Sequence, residues 1–241
     1  MTLDILFQDE YLVAVNKPAG LLVHRTYLAK DEEDAVVQRL RDQTGKWVFP
    51  VHRLDRGTSG VLIMAFNPEV ARLLSTQFAE SKTQKTYHCL VRGFCDEAGV
   101  IDYPLAKLNE QKGRSRFKLE GTERDAETRF TRLEQYQLPV AVSRYDSMRL
   151  SWMEVRPKQG RKHQIRRHFK HLLNPLVGDS CYGCRHINKV AKTIWPDDFR
   201  LMLHASSLQF NHPITDQMMT LKADFSDKIV NILNSLELYK T

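Results

Sequence analysis

Residues 59–66, SGVLIMAF, form an unbroken apolar run of strand rather than helix length, so a chain that carries them builds a sheet around a buried strand. KWVFPVHRLD, residues 46–55, is similarly rich in β-branched and aromatic side chains and reads as a second buried strand. A glycine-punctuated loop joins the two, which places Asp55 at a strand end between Arg53 and Arg56. One carboxylate held between two guanidinium groups in such a loop is the first candidate for chemistry.

Strand and helix patterns alternate along the rest of the chain. ILFQDEYLVAVNKPAGLLVH reads as short apolar strands cut by QDE and by NKPAG, where proline presets φ and glycine permits a tight turn. DEEDAVVQRLRDQTG has acids at its start, Ala35, Val36 and Leu40 near helical spacing and a terminal glycine, which predicts a helix over about 33–43. PEVARLLSTQFAESK sets Val70, Leu73, Leu74 and Phe78 on one stripe behind a proline, the pattern of an amphipathic helix. Strands are expected in QKTYHCLVRGF, AETRFTRLEQY, RLSWMEVRP and LHASSLQFNHP, and helices in GRKHQIRRHFKHLL and DKIVNILNSLELYK. Residues 107–125, KLNEQKGRSRFKLEGTERD, show no sustained apolar period and are expected to form a mobile arm or a loop-rich insertion, able to touch a polyanion. With no repeat or Pro/Gly linker to divide it, the chain is expected to be one α+β domain over 1–241, a mostly antiparallel mixed sheet flanked by helices and loops.

Its 241 residues, 42% of them hydrophobic, suffice for a full core, and a net charge of +7 calls for an anionic partner. A membrane is disfavoured as that partner. No apolar run approaches the roughly 18 residues of a spanning helix, and MTLDILFQDE lacks the basic region and apolar core of a signal peptide. The expectation is a cytoplasmic protein with no membrane role. The four cysteines are too few and too irregularly placed for a disulfide framework, and Cys181 and Cys184 lack the second ligand pair of a structural zinc site. No metal is expected.

Residues 156–171, RPKQGRKHQIRRHFKH, hold seven Lys or Arg, three His and no acid, a local excess equal to the net charge of the whole chain. A helix over 161–173 would place Ile165, Phe169 and Leu172 on a packing face, with His163, Arg167, Lys170 and His171 opposite. A solvated cationic surface usually interleaves acids, because unrelieved like charge repels; their absence favours phosphate binding. His163, His168 and His171 do not share one face, and no His-x-x-x-His pair encloses a glutamate, so zinc is a poor account of them.

Three roles are open to Asp55. It could cap a turn through nearby amides, serve as a metal ligand, or act as an ionised nucleophile whose charge the flanking arginines favour. A two-metal site needs several convergent carboxylates, and only one is marked here.

HRLDRGTSG resembles the signature of the RluA-type pseudouridine synthases, in which the catalytic aspartate lies in a histidine, arginine, leucine, aspartate run followed by Thr-Ser-Gly. NKPAGLLVH, KTYHCLVRG, GRKHQIRRH, NPLVGDSCYG and LHASSLQFNHP follow in family order, so the resemblance spans about residues 11–215. It is greatest to the short-chain members that act on tRNA in the TΨC and acceptor-stem region, through QDEYLVAVNKPAG, LVHRTYL, GRKHQIRRHFKHLLNPLVGDS and RLMLHASSL.

The resemblance implies that a uridine is flipped out of its helix and attacked covalently by Asp55, at the base or at the ribose; uracil detaches, turns and rejoins through carbon. It implies no cofactor and no metal. A base inside a stem is unreachable until it leaves the stack, and a basic surface must hold the distorted backbone meanwhile. Tyr87 matches the tyrosine that stacks on uracil; read alone it is an ordinary strand tyrosine. Arg166 matches the arginine that pairs with the catalytic aspartate; read alone it is one more phosphate contact. Leu203 resembles an apolar residue of the uracil pocket. Arg53 and Arg56 are expected to contact RNA or brace the loop, and Arg161, Lys162, His163, Arg167 and Lys170 to contact RNA from the basic helix. His52 reads as structural, Gly60 as a point of close backbone approach, and Asn16 and Lys17 match a family turn without a catalytic assignment. Many relatives carry a separate N-terminal RNA-binding domain. This chain starts almost at the catalytic motifs, so RNA recognition is expected to fall to the catalytic domain, through 107–125 and the basic helix. The expected partner is tRNA, met by a monomer. Large-subunit ribosomal RNA is the alternative substrate, and a non-catalytic RNA-binding or folding factor is the rival from another class.

Overall fold

The computed structural model describes residues 2–24, 34–109 and 118–241. The chain forms two compact units, one of residues 1–86 and 204–224, the other of 87–203 and 225–241.

The first unit contains β1 (Asp4–Gln8), β2 (Leu12–Lys17), α1 (Val36–Thr44), β3 (Phe49–Pro50), β4 (Ser59–Ala65) and α2 (Pro68–Ala79). The start of β5 (Gln84–Arg92), nearly all of β11 (Leu203–Asn211) and β12 (Met218–Lys222) complete it. β1 and β2 form the expected hairpin, its turn closed by Asp9 Oδ1, which accepts from the Tyr11 and Leu12 amides at 2.7 and 2.8 Å. The strand order is β1-β2-β4-β11, with β12 on β11 and β3 on β4. The pairing of β11 with β4 is parallel, and those of β1 with β2, β2 with β4, β3 with β4 and β11 with β12 are antiparallel.

Every residue of β4 is buried, as its apolar run demands. Val61, Ile63 and Ala65 pack with Leu12 and Ala14 of β2, Leu208 and Phe210 of β11, and Val70 and Leu74 of α2. Leu62 and Met64 point to the opposite face by strand alternation and are likewise fully buried. Side chains of this size contribute about 1.5–3 kcal/mol each when withdrawn from water. The close approach expected at Gly60 is present. Gly60 faces Ala205 across the parallel pair at φ 113°, and a Cβ there would lie 2.1 Å from the Ala205 carbonyl oxygen.

Three local expectations fail here. KWVFPVHRLD yields only the two-residue β3, because Pro50 has no N–H to continue a ladder, and Asp55 sits in a loop rather than at a strand end. LLVH contributes one isolated bridge, Leu22 to Ala35, and no strand. The helix forecast over 33–43 begins at Val36, with no acid in its first turn; Asp34 pairs instead with Arg39. Its end is as forecast, at Gly45 with φ 67°.

The second unit contains the rest of β5, then β6 (Ala98–Asp102), β7 (Leu105–Asn109), β8 (Lys118–Arg124), β9 (Glu127–Leu138) and β10 (Met148–Pro157). α3 (Gln164–His171), α4 (Arg185–Ile194), α5 (Asp227–Leu236) and a 3-10 turn at Glu237–Tyr239 follow. The order β5-β10-β9-β6 is antiparallel throughout. One face, with Cys89, Val91, Met153 and Val155, packs on Ile165 and Phe169 of α3. The other, with Leu90, Leu150 and Trp152, packs on Ile187 and Ala191 of α4 and on Ile229, Ile232 and Leu236 of α5. Both units bear out the α+β class and the mostly antiparallel sheet. The stretch 107–125 is not the loop-rich insertion expected, since β7 and β8 pair antiparallel across it, anchored by the buried Leu105 and Leu108. Residues 110–117 of that expectation lie outside the described residues. Among the described residues no helix is long and apolar enough to cross a membrane.

Candidate active site

In the first unit the HRLDRG loop is stitched to the NKPAG turn. Gly20 N donates to the Arg56 carbonyl at 2.7 Å, and Arg56 Nε donates back to the Gly20 carbonyl at 2.8 Å. Lys17 is fully buried, and its Nζ donates to the carbonyls of Pro18 and Leu21, each at 2.8 Å, and of Arg56 at 3.2 Å. A buried ammonium is costly unless its donors are satisfied, and here three carbonyls meet them. Lys17, to which the sequence assigned no catalytic part, is therefore the staple of the loop. Thr58 N donates to the Asp55 carbonyl at 3.0 Å and closes the turn. Asp55 is half-buried, Arg53 and Arg56 are exposed, and Arg56 spends its Nε on bracing the loop.

The start of β4 is fixed by a buried pair. His204 Nε2 donates to the Ala223 carbonyl at 3.1 Å, which leaves Nδ1 to accept from Ser59 Oγ at 2.8 Å. His52 Nε2 accepts from the Ile63 amide at 3.1 Å, and its ring stacks on Phe78 with centroids 4.4 Å apart. Burial, with the charge of Lys85 adding to it, pushes the His52 pKa down to about 3. The folded protein therefore keeps His52 neutral, while the unfolded chain protonates it near 6.5. Stability accordingly falls as pH drops from 6.5 towards 3, because the unfolded state then binds the extra proton. His52→Gln removes this titration. In denaturant unfolding, the advantage of the wild type over the variant is expected to shrink by on the order of 2 kcal/mol between pH 7 and 4.5. A constant difference would show that His52 does not titrate in this way.

In the second unit the basic segment is shorter as a helix than its sequence forecast. α3 begins at Gln164 instead of 161, because His163 adopts a left-handed φ of 56° at the N-cap. Arg161 N accepts no helical role; it donates to Gln164 Oε1 at 3.0 Å, while Arg161 Nε donates to the Asp125 carbonyl at 3.1 Å. His163 Nδ1 bonds the Tyr182 hydroxyl at 3.0 Å. Ile165 and Phe169 form the buried face and Leu172 is half-buried, as the spacing predicted. The opposite face departs from the forecast. Lys170 is exposed, but Arg167 is half-buried and its Nη1 donates to the Ala106 carbonyl at 3.0 Å. His168 is fully buried between Thr128 Oγ1 and the Tyr103 carbonyl, at 2.9 and 3.0 Å, while His171 stacks on Tyr103.

Arg166 is buried and forms a two-pronged pair with Asp179, Nε to Oδ2 at 2.7 Å and Nη2 to Oδ1 at 2.9 Å. Asp179 Oδ1 also accepts from the Cys181 and Tyr182 amides at 2.8 and 3.0 Å, and the Arg166 guanidinium lies 5.1 Å from the Tyr182 ring centroid. Burial by itself would raise the Asp179 pKa. The bonds and charge of Arg166 and the two amides overcome it and hold the carboxyl below 3.8. Tyr87 and Leu203 pack in the same apolar cluster as Ile165 and Phe169 of α3, so this unit brings together three of the features marked in the sequence. Lys162 is half-buried.

Asp179 and Tyr182 are the neighbours of Arg166 that sequence reasoning passed over. Within the sequence the only pointer is that Asp179, in GDSCYG, is the first acid after the unrelieved charge of 156–171. Among the described residues no three His, Cys, Asp or Glu side chains are grouped to hold a metal, and Cys181 and Cys184 are free thiols.

Known proteins resemble this chain in sequence and in fold. The sequence model of the RNA pseudouridylate synthase family matches residues 11–171, a span that includes Asp55, Tyr87 and Arg166. A protein of Vibrio parahaemolyticus named tRNA pseudouridine synthase C is 47% identical over 226 residues, 93% of this chain and 91% of its own. Another of that name, from Pasteurella multocida, is 46% identical over 97% of this chain and 96% of its own. The solved structure of Human RNA Pseudouridylate Synthase Domain Containing 1 superposes with a TM-score of 0.73 at 25% identity, covering all of this chain and 89% of that one. Motif order, fold and relatives agree, and the chain belongs to the RNA pseudouridylate synthase family, whose members of RluA type its loop and basic helix resemble.

Proposed function

We propose that the protein isomerises one uridine of tRNA, in the TΨC and acceptor-stem region, to pseudouridine, working in the cytoplasm. What carries this reading is the near full-length likeness to proteins named tRNA pseudouridine synthase C. Asp55 is the nucleophile, Tyr87 stacks on the flipped uracil with Leu203 beside it, and Arg166 orients the reacting carboxylate. The reaction breaks the bond from ribose to N1 and makes one to C5; a proton leaves C5 and one is gained at N1, so no external oxidant or group donor is consumed. Stacking on an aromatic ring is worth about 1–3 kcal/mol, enough to help retain a nucleotide outside its helix. The cationic side chains of Arg53, Arg161, Lys162 and Lys170 supply phosphate contacts, and His163 and Arg167 hold the basic segment around α3 in shape.

The test is nucleotide-resolution mapping of pseudouridine in unmodified tRNA and ribosomal RNA after incubation with the pure protein and a chelator. One new site in the TΨC or acceptor stem is the expected result. A site confined to ribosomal RNA would overturn the substrate while keeping the chemistry, and no site in either RNA would overturn both.

A further inference from the structure

The second unit holds a cavity of about 810 Å³ that the residues assigned to catalysis do not use. It lies at the far end of β5 from Tyr87: Arg92 lines it, five residues on, which at strand rise is about 16 Å away. Its volume falls within the range of about 300–1,000 Å³ typical of ligand sites.

Three arginines, Arg92, Arg144 and Arg149, face it, and Asp146 is the one acid among the described residues that line it. Two exposed aromatic rings, Phe94 and Tyr145, stand among them. Each ring has a guanidinium 5.2 Å from its centroid, Arg149 at Phe94 and Arg144 at Tyr145. Arg144 Nη2 also donates to the Tyr145 hydroxyl at 3.0 Å, and that bond, with the nearby charges of Arg144, Arg92 and Arg149, lowers the phenol's pKa. The tip is held in place. Val142 N donates to the Tyr145 carbonyl at 2.8 Å and Tyr145 N returns a bond at 3.1 Å, with Val142 buried in the core and Ser143 in the left-handed region at φ 57°. A rigid hairpin thus presents cations and aromatic faces that the core does not need.

We propose that this cavity is a second RNA-contact site, which takes an unpaired nucleotide of the substrate. Its base lies against Tyr145 and Phe94, and its phosphate is held among Arg92, Arg144 and Arg149. Aromatic faces interleaved with arginine are the composition that grips an unpaired nucleotide without reading its sequence. The strand spacing separates this nucleotide from the uridine stacked at Tyr87, so the site anchors the RNA and takes no part in the chemistry. The inference rests on the RNA-modifying reading above.

The experiment compares wild type, Tyr145→Ala, Tyr145→Phe and Arg144→Ala/Arg149→Ala on full-length tRNA, by steady-state kinetics and by binding titrations across salt concentration. All three side chains are exposed, so melting temperatures should match the wild type. Tyr145→Ala is expected to raise KM about tenfold with kcat unchanged, and Tyr145→Phe, which keeps the ring, to stay within about twofold. The double arginine variant should lower the salt slope of log affinity by about 1.5–2. Wild-type KM and salt slope in every variant would overturn the proposal. If the wild type leaves tRNA unmodified, the substrate reading fails instead. The salt titration on ribosomal RNA then decides the cavity by the same criterion, a reduced slope supporting it and an unchanged one overturning it.

Discussion

Asp55→Asn is expected to abolish pseudouridine formation, lowering turnover by at least about 10³-fold, while tRNA binding stays close to that of the wild type. The amide has the shape of the carboxylate but cannot attack carbon as an anion. Bonds in the loop that involve backbone groups are left alone by the substitution: Thr58 N to the Asp55 carbonyl, Gly20 N to the Arg56 carbonyl, and Lys17 Nζ to the same Arg56 oxygen. The phosphate contacts assigned to α3 and its N-terminal flank are also untouched. Single-turnover modification assays and equilibrium binding on the same tRNA check both halves, with Asp55→Ala run alongside to guard against deamidation of the asparagine. Residual turnover above a hundredth of the wild type in both variants would remove Asp55 from the nucleophile's role. Loss of binding along with turnover would show that its carboxylate serves mainly to build the RNA surface.

How much of this could be read without coordinates depends on the range of the interaction. β4, α2 and the β1–β2 hairpin were legible because their signals lie within one element or between close neighbours: an unbroken apolar run, a proline-led stripe, two short apolar strands cut by QDE. Gly60 was legible in kind, since a glycine at a loop–strand junction signals close approach, though not its partner Ala205, which lies far along the chain. β7 and β8 were missed because a two-stranded ribbon with Leu105 and Leu108 as its buried anchors shows almost no apolar period. α4 went unforeseen because Cys184 is a poor N-cap and makes no side-chain capping bond. For the site, HRLDRGTSG and GRKHQIRRH marked the right segments through their resemblance to a family. What escaped was satisfaction at a distance. Nothing local reveals that Lys17 reaches the Arg56 carbonyl, that Arg167 turns to the Ala106 carbonyl, or that Asp179 meets Arg166 thirteen residues away.

That last pair carries the largest expected effect on stability. Asp179→Ala should destabilise the protein by about 3–5 kcal/mol, because it takes the two-pronged carboxylate partner from a guanidinium that is only 8% exposed and leaves the Cys181 and Tyr182 amides without that acceptor. In a chain of this size that corresponds to a fall in Tm of roughly 6–20 °C. The pH dependence has a definite sign. A carboxyl held below 3.8 when folded stabilises the protein at any pH above that value, and the contribution disappears as pH falls through the lower folded value. The gap between wild type and variant should therefore be flat from pH 7 to about 4 and close below it; both proteins contain His52, so its titration cancels. Replacing both partners separates structure from chemistry. Arg166→Met/Asp179→Leu removes both buried charges and should recover much of the lost stability, since an apolar pair of similar volume costs little where a broken ion pair costs a great deal. Pseudouridine formation should not recover with it, because the reacting carboxylate has lost the guanidinium assigned to orient it. A double variant that regains its fold and its turnover together would reduce Arg166 to a structural pillar, and a gap of less than about 1 kcal/mol for Asp179→Ala would deny the pair even that role.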